Sequence, residues 1–182
     1  MKIAIDVMGG DNAPVSNIRG LSSYLSENND NNTSFFLIGD KTLIEKTLSE
    51  ENLSSNLISI INANQTIEID DNIGKIHKNK PDNSIVKSIN LLKEKEVDAV
   101  ISAGNTGALL SSSLFVLDKI EHIRRPALAP CIPSDKGDII ISDAGANINT
   151  KPMHMLQYAI MSSEYFKIIN GKRNARVGLI NI

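Results

Sequence analysis

The stretch VDAVISAGNTGALL, residues 97–110, decides the fold. Val97 to Ile101 is a short apolar run, Ser102 to Gly107 is a glycine-bearing turn, and Ala108-Leu109-Leu110 resumes apolar sequence. That succession predicts a buried strand over 98–101, a turn at its carboxyl end and a helix over 105–118. Glycine lets backbone N–H groups approach a ligand closely, and the amino end of the following helix carries partial positive charge. Asn105 and Thr106 add side-chain donors. The same residues also suit a plain helix cap, and spacing alone favours that simpler use. The turn lacks the Lys-Ser/Thr ending of a nucleotide-phosphate loop, and no Gly-x-Gly-x-x-Gly follows the first strand. Neither motif for a nucleotide is present.

The same alternation runs outward from this stretch. Lys2 to Val7 reads as a buried strand ended by Gly9-Gly10, and Asp11-Asn12-Ala13-Pro14 as the opening of a helix with Ile18, Leu21 and Leu25 inward. Residues 28–32 form a polar loop. A strand over 33–38 precedes a helix capped by Asp40, with Leu43, Ile44 and Leu48 inward, and a third strand covers 57–61. Residues 63–81 lack periodicity and read as a loop or mobile arm. A helix follows from Pro81-Asp82, with Ile85, Ile89 and Leu92 on its face and Lys87, Lys93 and Lys95 toward water. Further on, strands are expected over 127–132 and 138–142. A helix opened by Lys151-Pro152 and ended by Gly171 carries Met155, Tyr158, Ala159, Ser162, Phe166 and Ile169 at helical spacing, and a last strand should start at Arg176. Alternating strands and helices imply an α/β fold: a mostly parallel sheet with helices on both faces. The sequence ends inside an apolar run, Gly178 to Ile182, so a longer chain is expected.

Bulk properties narrow the function. The 182 residues carry a net charge of -2, with 41% hydrophobic and only 4% aromatic residues. That balance, with no dense basic run, argues against nucleic acid as a partner. The single cysteine, Cys131, excludes an internal disulfide and disfavours a thiolate zinc site. No apolar run is long enough to span a bilayer, and the amino terminus does not read as a signal peptide, so the cytoplasm is the default address.

Ligands of open parallel sheets sit beyond the carboxyl ends of the strands. Three strand ends here carry polar turns: Asp6-Val7-Met8-Gly9-Gly10-Asp11, Ser102 to Gly107, and Asp143-Ala144-Gly145-Ala146-Asn147. Asp6 and Asp11 suit water or metal binding, or strand-end solvation and a helix N-cap. Asp143 and Asn147 suit substrate orientation or an Asx turn. Cys131 reads as a small buried strand residue rather than a nucleophile. His77, His122 and His154 are far apart and none has a neighbouring nucleophile.

At these turns the sequence resembles the bacterial phosphate acyltransferase family, which moves acyl groups from acyl carrier protein to phosphate. The matching stretches are Asp6 to Pro14, Ser102 to Leu110, Arg125-Pro126-Ala127-Leu128-Ala129, Asp143 to Asn147 and Lys151-Pro152. In the arm, Lys80, Asp82 and Ser84 match, while Lys78 and Asn83 stand where the family usually has Arg and Ser. Lys lacks the bidentate fork of Arg. The resemblance implies an α/β fold akin to isocitrate and isopropylmalate dehydrogenases, truncated here, with residues 1–182 as the amino-terminal part of a single domain. It also implies acyl phosphate formation for phospholipid biosynthesis, a homodimer, a cytoplasmic enzyme peripherally associated with the inner membrane face through the part beyond this chain, and no cofactor or metal.

On that reading, phosphate itself attacks the thioester carbonyl, which needs a positioned phosphate and oxyanion donors. The expected phosphate cradle is Gly104, Asn105, Thr106 and Gly107. Asp6, Gly9, Gly10, Asp11 and Ser84 surround it, and Lys80, Arg125 and Lys151 supply counter-charge. Asn105, Lys151, Asp143 and Asn147 are the expected catalytic or orienting residues. The alternatives are a phosphotransacetylase-like enzyme using acyl-coenzyme A, a decarboxylating dehydrogenase whose nicotinamide and metal motifs are missing here, and an inactive fragment serving as an interaction surface.

Overall fold

The computed structural model describes residues 1–28, 32–68, 71–135, 137–171 and 175–180. Its first compact unit spans Met1–Asp118 and its second Lys119–Ile182. In the first, the strands β1 (Lys2–Asp6), β2 (Ser34–Gly39), β3 (Ile58–Asn62) and β4 (Ala99–Ser102) form one parallel sheet in the order β3-β2-β1-β4. The helices α1 (Val15–Glu27), α2 (Lys41–Glu50), α3 (Ile76–Asn79), α4 (Ser84–Lys93) and α5 (Thr106–Leu117) belong to the same unit.

The two-residue period of the strands sorts their side chains between two layers. Ile3, Ile5, Val7, Phe35 and Leu37 pack with Ile18 and Leu21 of α1 and Ile44 of α2. Ala4 and Ile38, one register step away, pack with Ala63 and Val97, against which Leu91 and Leu92 lie. A third cluster joins Ile76, Ile85, Ile89 and Ala108 from α3, α4 and α5. Ile18, Ile44 and Ile76 are fully buried, each stabilising the fold by about 1.5–3 kcal/mol relative to an exposed side chain. The expected α/β architecture with helices on both faces is therefore present in this unit.

Three helices begin the same way. Asp40, Asn83 and Asn105 each accept the amide N–H three residues on, from Leu43 at 2.9 Å, Val86 at 3.0 Å and Ala108 at 2.9 Å. Each side chain thereby satisfies a donor that the helix itself leaves free. α1 has no such cap: it starts after Pro14, and Asp11 lies in the turn before it rather than capping it.

Several local expectations are corrected. In α2, Leu43 is 37% exposed and Thr47 is buried, its Oγ1 satisfied without water by donating to the Leu43 carbonyl at 2.9 Å. The arm is not featureless: a 3-10 turn at Ile73–Lys75 and α3 pack Ile76 into the third cluster. Helix α4 starts after Asn83, not at Pro81. Lys87 is not free in water: it forms an ion pair with Asp82. The polar loop expected at 28–32 falls largely on residues 29–31, outside the described residues.

The second unit contains β5 (Cys131–Ile132) and β6 (Ile139–Ile140), paired antiparallel, and α6 (Pro152–Asn170). The long strands expected over 127–132 and 138–142 shrink to two residues each, in a segment where Pro126, Pro130 and Pro133 remove ladder donors. Cys131 is exposed, not buried. α6 ends at Gly171, whose φ of 60° suits a residue without a Cβ. Its inward side is set by His154 and Tyr158, while Met155 and Ile169 of the expected face are exposed, as are Met153, Leu156, Ile160 and Ile168. Residues 175–180 form no strand, and 181–182 lie outside the described residues.

Candidate functional site

The site in the first unit starts from strand register. β1 and β4 pair so that Asp6 lies opposite Ser102 at their carboxyl ends. Asp6 is only 1% exposed, and both carboxylate oxygens are occupied. Oδ1 accepts the Met8 amide at 3.1 Å and Oδ2 accepts the Ser102 hydroxyl at 2.6 Å. Ser102 Oγ in turn accepts the Gly104 amide at 3.1 Å. From the other side, Asn17 of α1 donates to the carbonyls of Val7 at 3.0 Å and Gly9 at 2.8 Å. The first turn is thus tied to a helix, and the second turn to a buried carboxylate.

Around these turns lies a cleft of about 410 Å³. Met8 to Asp11 form one wall and Ala103 to Asn105 another. The arm contributes Thr66, Ile67 and Glu68, the start of α4 contributes Ser84 and Ile85, and Asp6 completes the lining. Of the residues singled out in the sequence, Asp6, Gly9, Gly10, Asp11, Ser84, Gly104 and Asn105 come together here. Thr106 and Gly107 stand beside the lining in the first turn of α5. The Gly104 amide is engaged by Ser102 and the Ala108 amide by the Asn105 cap. The amides of Asn105, Thr106 and Gly107 make no hydrogen bond among the described residues, so they and the Asn105 Nδ2 are the donors left for a ligand. Gly104 lines the cleft with its own N–H engaged by Ser102.

Lys80 is also reassigned. Its ammonium donates to Asp71 Oδ2 and to the Thr66 carbonyl, both at 2.7 Å. The same Asp71 oxygen accepts the Glu68 amide at 2.6 Å. Lys80, with help from that amide, holds the Asp71 carboxyl below the usual carboxylate range. The lysine braces the arm that walls the cleft and is not a free counter-charge. A second clamp, Asp82 with Lys87 and Asn64, ties the arm to α4, and Lys87 foremost lowers the Asp82 pKa. Among the described lining residues the charged groups are carboxylates: Asp6, Asp11 and Glu68.

The second unit holds Arg125, Asp143, Asn147 and Lys151. Asp143 Oδ1 accepts the Leu128 amide at 2.8 Å, and its Oδ2 accepts the Asn147 amide at 2.8 Å and side-chain nitrogen at 3.0 Å. Asn147 Nδ2 also donates to the Pro126 carbonyl at 2.9 Å. These two residues therefore knit the 126–128 segment to the 143–147 turn, and both donor hydrogens of Asn147 have partners. Arg125 Nη1 reaches the Asn149 carbonyl at 3.3 Å, and Lys151 is exposed at the start of α6. Neither forms an ion pair among the described residues.

Two residues of α6 named in the sequence without a functional role lie in the same unit. His154 is buried, and its Nδ1 accepts the Lys151 amide at 3.3 Å. Burial, then Arg125, Lys151 and Arg124, press its pKa below the ordinary histidine value. Tyr158, one turn on, is also buried, and burial followed by Asp143 raises its hydroxyl pKa. The available signal was their i, i+4 spacing just after Lys151-Pro152. Elsewhere, His77 stacks on Phe115 with ring centroids 4.2 Å apart, a packing role. Among the described residues no cluster of His, Cys, Asp or Glu could hold a metal, and no helix is long and apolar enough to cross a membrane.

A parallel sheet with a ligand-sized cleft beyond the carboxyl ends of β1 and β4 defines the class: an α/β protein with its site at the strand ends. All of residues 1–182 match the model of the fatty acid synthesis protein family, and the chain belongs to that family. Curated relatives named phosphate acyltransferase cover the whole chain. That of Caldicellulosiruptor saccharolyticus is 41% identical over 182 residues, which make up 54% of the relative. That of Clostridioides difficile is 42% identical over 183 residues, 53% of its length, and that of Bacillus subtilis 41% over 183 residues, 54% of its length. The chain spans about half the length of the curated relatives it matches. Among solved structures, the EutD phosphotransacetylase from Staphylococcus aureus superposes with a TM-score of 0.63 at 17% identity, over 91% of this chain and 52% of that one. At that identity the likeness is one of fold.

Proposed function

We propose that residues 1–182 are the amino-terminal part of one phosphate acyltransferase domain, transferring a fatty acyl group from acyl carrier protein to inorganic phosphate. The observation that carries this is the match of the entire chain, at about 41% identity, to relatives named phosphate acyltransferase. The geometry fits the chemistry. A phosphate oxygen attacks the thioester carbonyl, the C–S bond breaks, and the carrier thiol leaves with a proton as acyl phosphate forms. That step requires the attacking anion to be held and the oxyanion to meet preorganised donors. Asn105 Nδ2 and the amides of Asn105, Thr106 and Gly107 are such donors. Arg125 and Lys151, which belong to the second unit, are proposed as counter-charges from the family motifs that carry them. The same reading includes a role in phospholipid biosynthesis, a cytoplasmic homodimer and peripheral association with the inner membrane face.

The test uses the complete protein, acyl-acyl carrier protein and phosphate, with acyl phosphate trapped by hydroxylamine. Phosphate-dependent hydroxamate from the carrier-linked donor is the expected result. Product from acyl-coenzyme A alone would replace this reading with a phosphotransacetylase-like one, and no product from either donor would overturn it.

A further inference from the structure

We infer that Ser102 is a positioning residue: held by the buried Asp6 carboxylate, its hydroxyl sets the turn that presents Asn105 to the cleft. This rests on the proposed phosphate acyltransferase reading for its kinetic test, and on geometry for its substance. Ser102 Oγ stands between two partners, donating to Asp6 Oδ2 at 2.6 Å and accepting the Gly104 N–H at 3.1 Å. One hydroxyl thus couples the end of β1 to the residue just before Asn105. The chain around it has no slack. A Cβ on Gly104 would lie 3.1 Å from Asp6 Oδ2 and 3.2 Å from Ser102 Oγ. Gly104 is thereby fitted against both members of the pair.

The arrangement also fixes where an anion does not sit. The Gly104 N–H is closed off by Ser102, and the Asp6 carboxylate lies directly beneath it, which repels negative charge at that depth. An anionic ligand is displaced outward, to Asn105 and the amides that follow. Without the Ser102 hydroxyl, the buried Asp6 oxygen loses a donor and the Gly104 amide loses its acceptor, so the turn is free to swing toward the carboxylate. The pair thereby acts on phosphate through Asn105, and no contact with phosphate is required of it.

The experiment compares Ser102→Ala, Ser102→Thr and Asp6→Asn in the complete protein. Phosphate and acyl donor are varied separately, and urea midpoints confirm folding. The expected result is a rise of about tenfold in KM for phosphate with Ser102→Ala, a smaller change in kcat, an unmoved KM for the donor, and recovery with Ser102→Thr. Asp6→Asn keeps the volume but leaves one acceptor oxygen for two donors, the Met8 N–H and the Ser102 hydroxyl. It should loosen the same turn and raise phosphate KM, and it carries the test if Ser102→Ala does not fold. A lowered phosphate KM, which removal of the buried charge alone would give, overturns the inference. Wild-type phosphate KM in both Ser102→Ala and Asp6→Asn overturns the inference, as does failure of Ser102→Thr to recover or an equal rise in donor KM. If the wild-type protein makes no acyl phosphate, calorimetric titration with inorganic phosphate decides the point. Weaker binding by Ser102→Ala then supports the positioning role, and equal or absent binding overturns it.

Discussion

Gly9 and Gly104 touch backbone to backbone: a Cβ placed on Gly9 would fall 2.4 Å from the Gly104 nitrogen and 2.7 Å from its Cα. The two turns at the carboxyl ends of β1 and β4 can close on each other only because Gly9 carries no side chain. A neighbouring side chain could rotate away from an intruding methyl, but a backbone nitrogen cannot.

Gly9→Ala is accordingly expected to destabilise the protein by about 1–3 kcal/mol through overpacking and to impair acyl phosphate formation. Gly20→Ala is the control. Gly20 lies within α1 with nothing inside 4 Å of its added Cβ, and alanine there should stabilise by about 0.5–1 kcal/mol. Urea unfolding midpoints of the two variants check the opposite signs.

Asn105 caps α5 through Oδ1 and lines the cleft, and its Nδ2 makes no hydrogen bond among the described residues. Asn105→Asp keeps the cap, since Asp is as good an N-cap as Asn, but replaces the donor with an oxygen. Its stability should match wild type to within about 0.5 kcal/mol, whereas Asn105→Ala should lose about 1 kcal/mol. Both variants should weaken phosphate use, Asn105→Asp more severely. A wild-type phosphate KM in Asn105→Asp would reduce Asn105 to a helix cap.

The Asp71–Lys80 pair should appear in acid. The folded pKa of Asp71 is depressed, with the Lys80 hydrogen bond as the main cause. Its contribution is therefore complete above the unfolded carboxyl value of about 3.9 and is lost as pH falls through the lower folded value. The stability gap between wild type and Asp71→Asn should be constant from pH 7 to about pH 5 and close below about pH 4. A gap that persists unchanged at pH 2 would show that the carboxylate charge is not what holds the arm.

His154 should titrate below the ordinary imidazole value of about 6.5, because burial and the charges of Arg125, Lys151 and Arg124 oppose its protonation. The unfolded chain then takes up this proton first. His154 thus makes stability decline as pH drops from about 6.5 toward the folded value. Arg125→Gln should move the His154 ring titration upward in NMR. No movement would mean that Arg125 does not face the imidazole.

Much of the first unit was legible because its signals are local. Apolar runs such as Lys2 to Val7 alternate with caps such as Asp40, and both act within a few residues. The arm was not legible, since one turn of helix around Ile76 offers no periodicity and earns its place only by packing against α4 and α5. The second unit misled for a related reason: the apolar residues of 127–132 suggest a strand, but Pro130 within them and Pro126 and Pro133 at their ends leave two residues paired. At the site, the glycine turns could be read directly. The pairing of Lys80 with Asp71 could not, because the partners stand 9 positions apart and only the folded arm brings them together. Ser102 was hidden in plain view, since a serine ending a strand reads as solvent-facing until Asp6 is placed beside it by register.

The bond between Ser102 and Asp6 spans 96 residues of chain. β1, β2 and β3 can pair as soon as the first third of the sequence exists, whereas β4 must find its place beside β1 after a long intervening excursion. Closing so large a loop carries an entropic cost that near-neighbour contacts avoid. During synthesis the cleft is thus absent until residues beyond Asn105 are available.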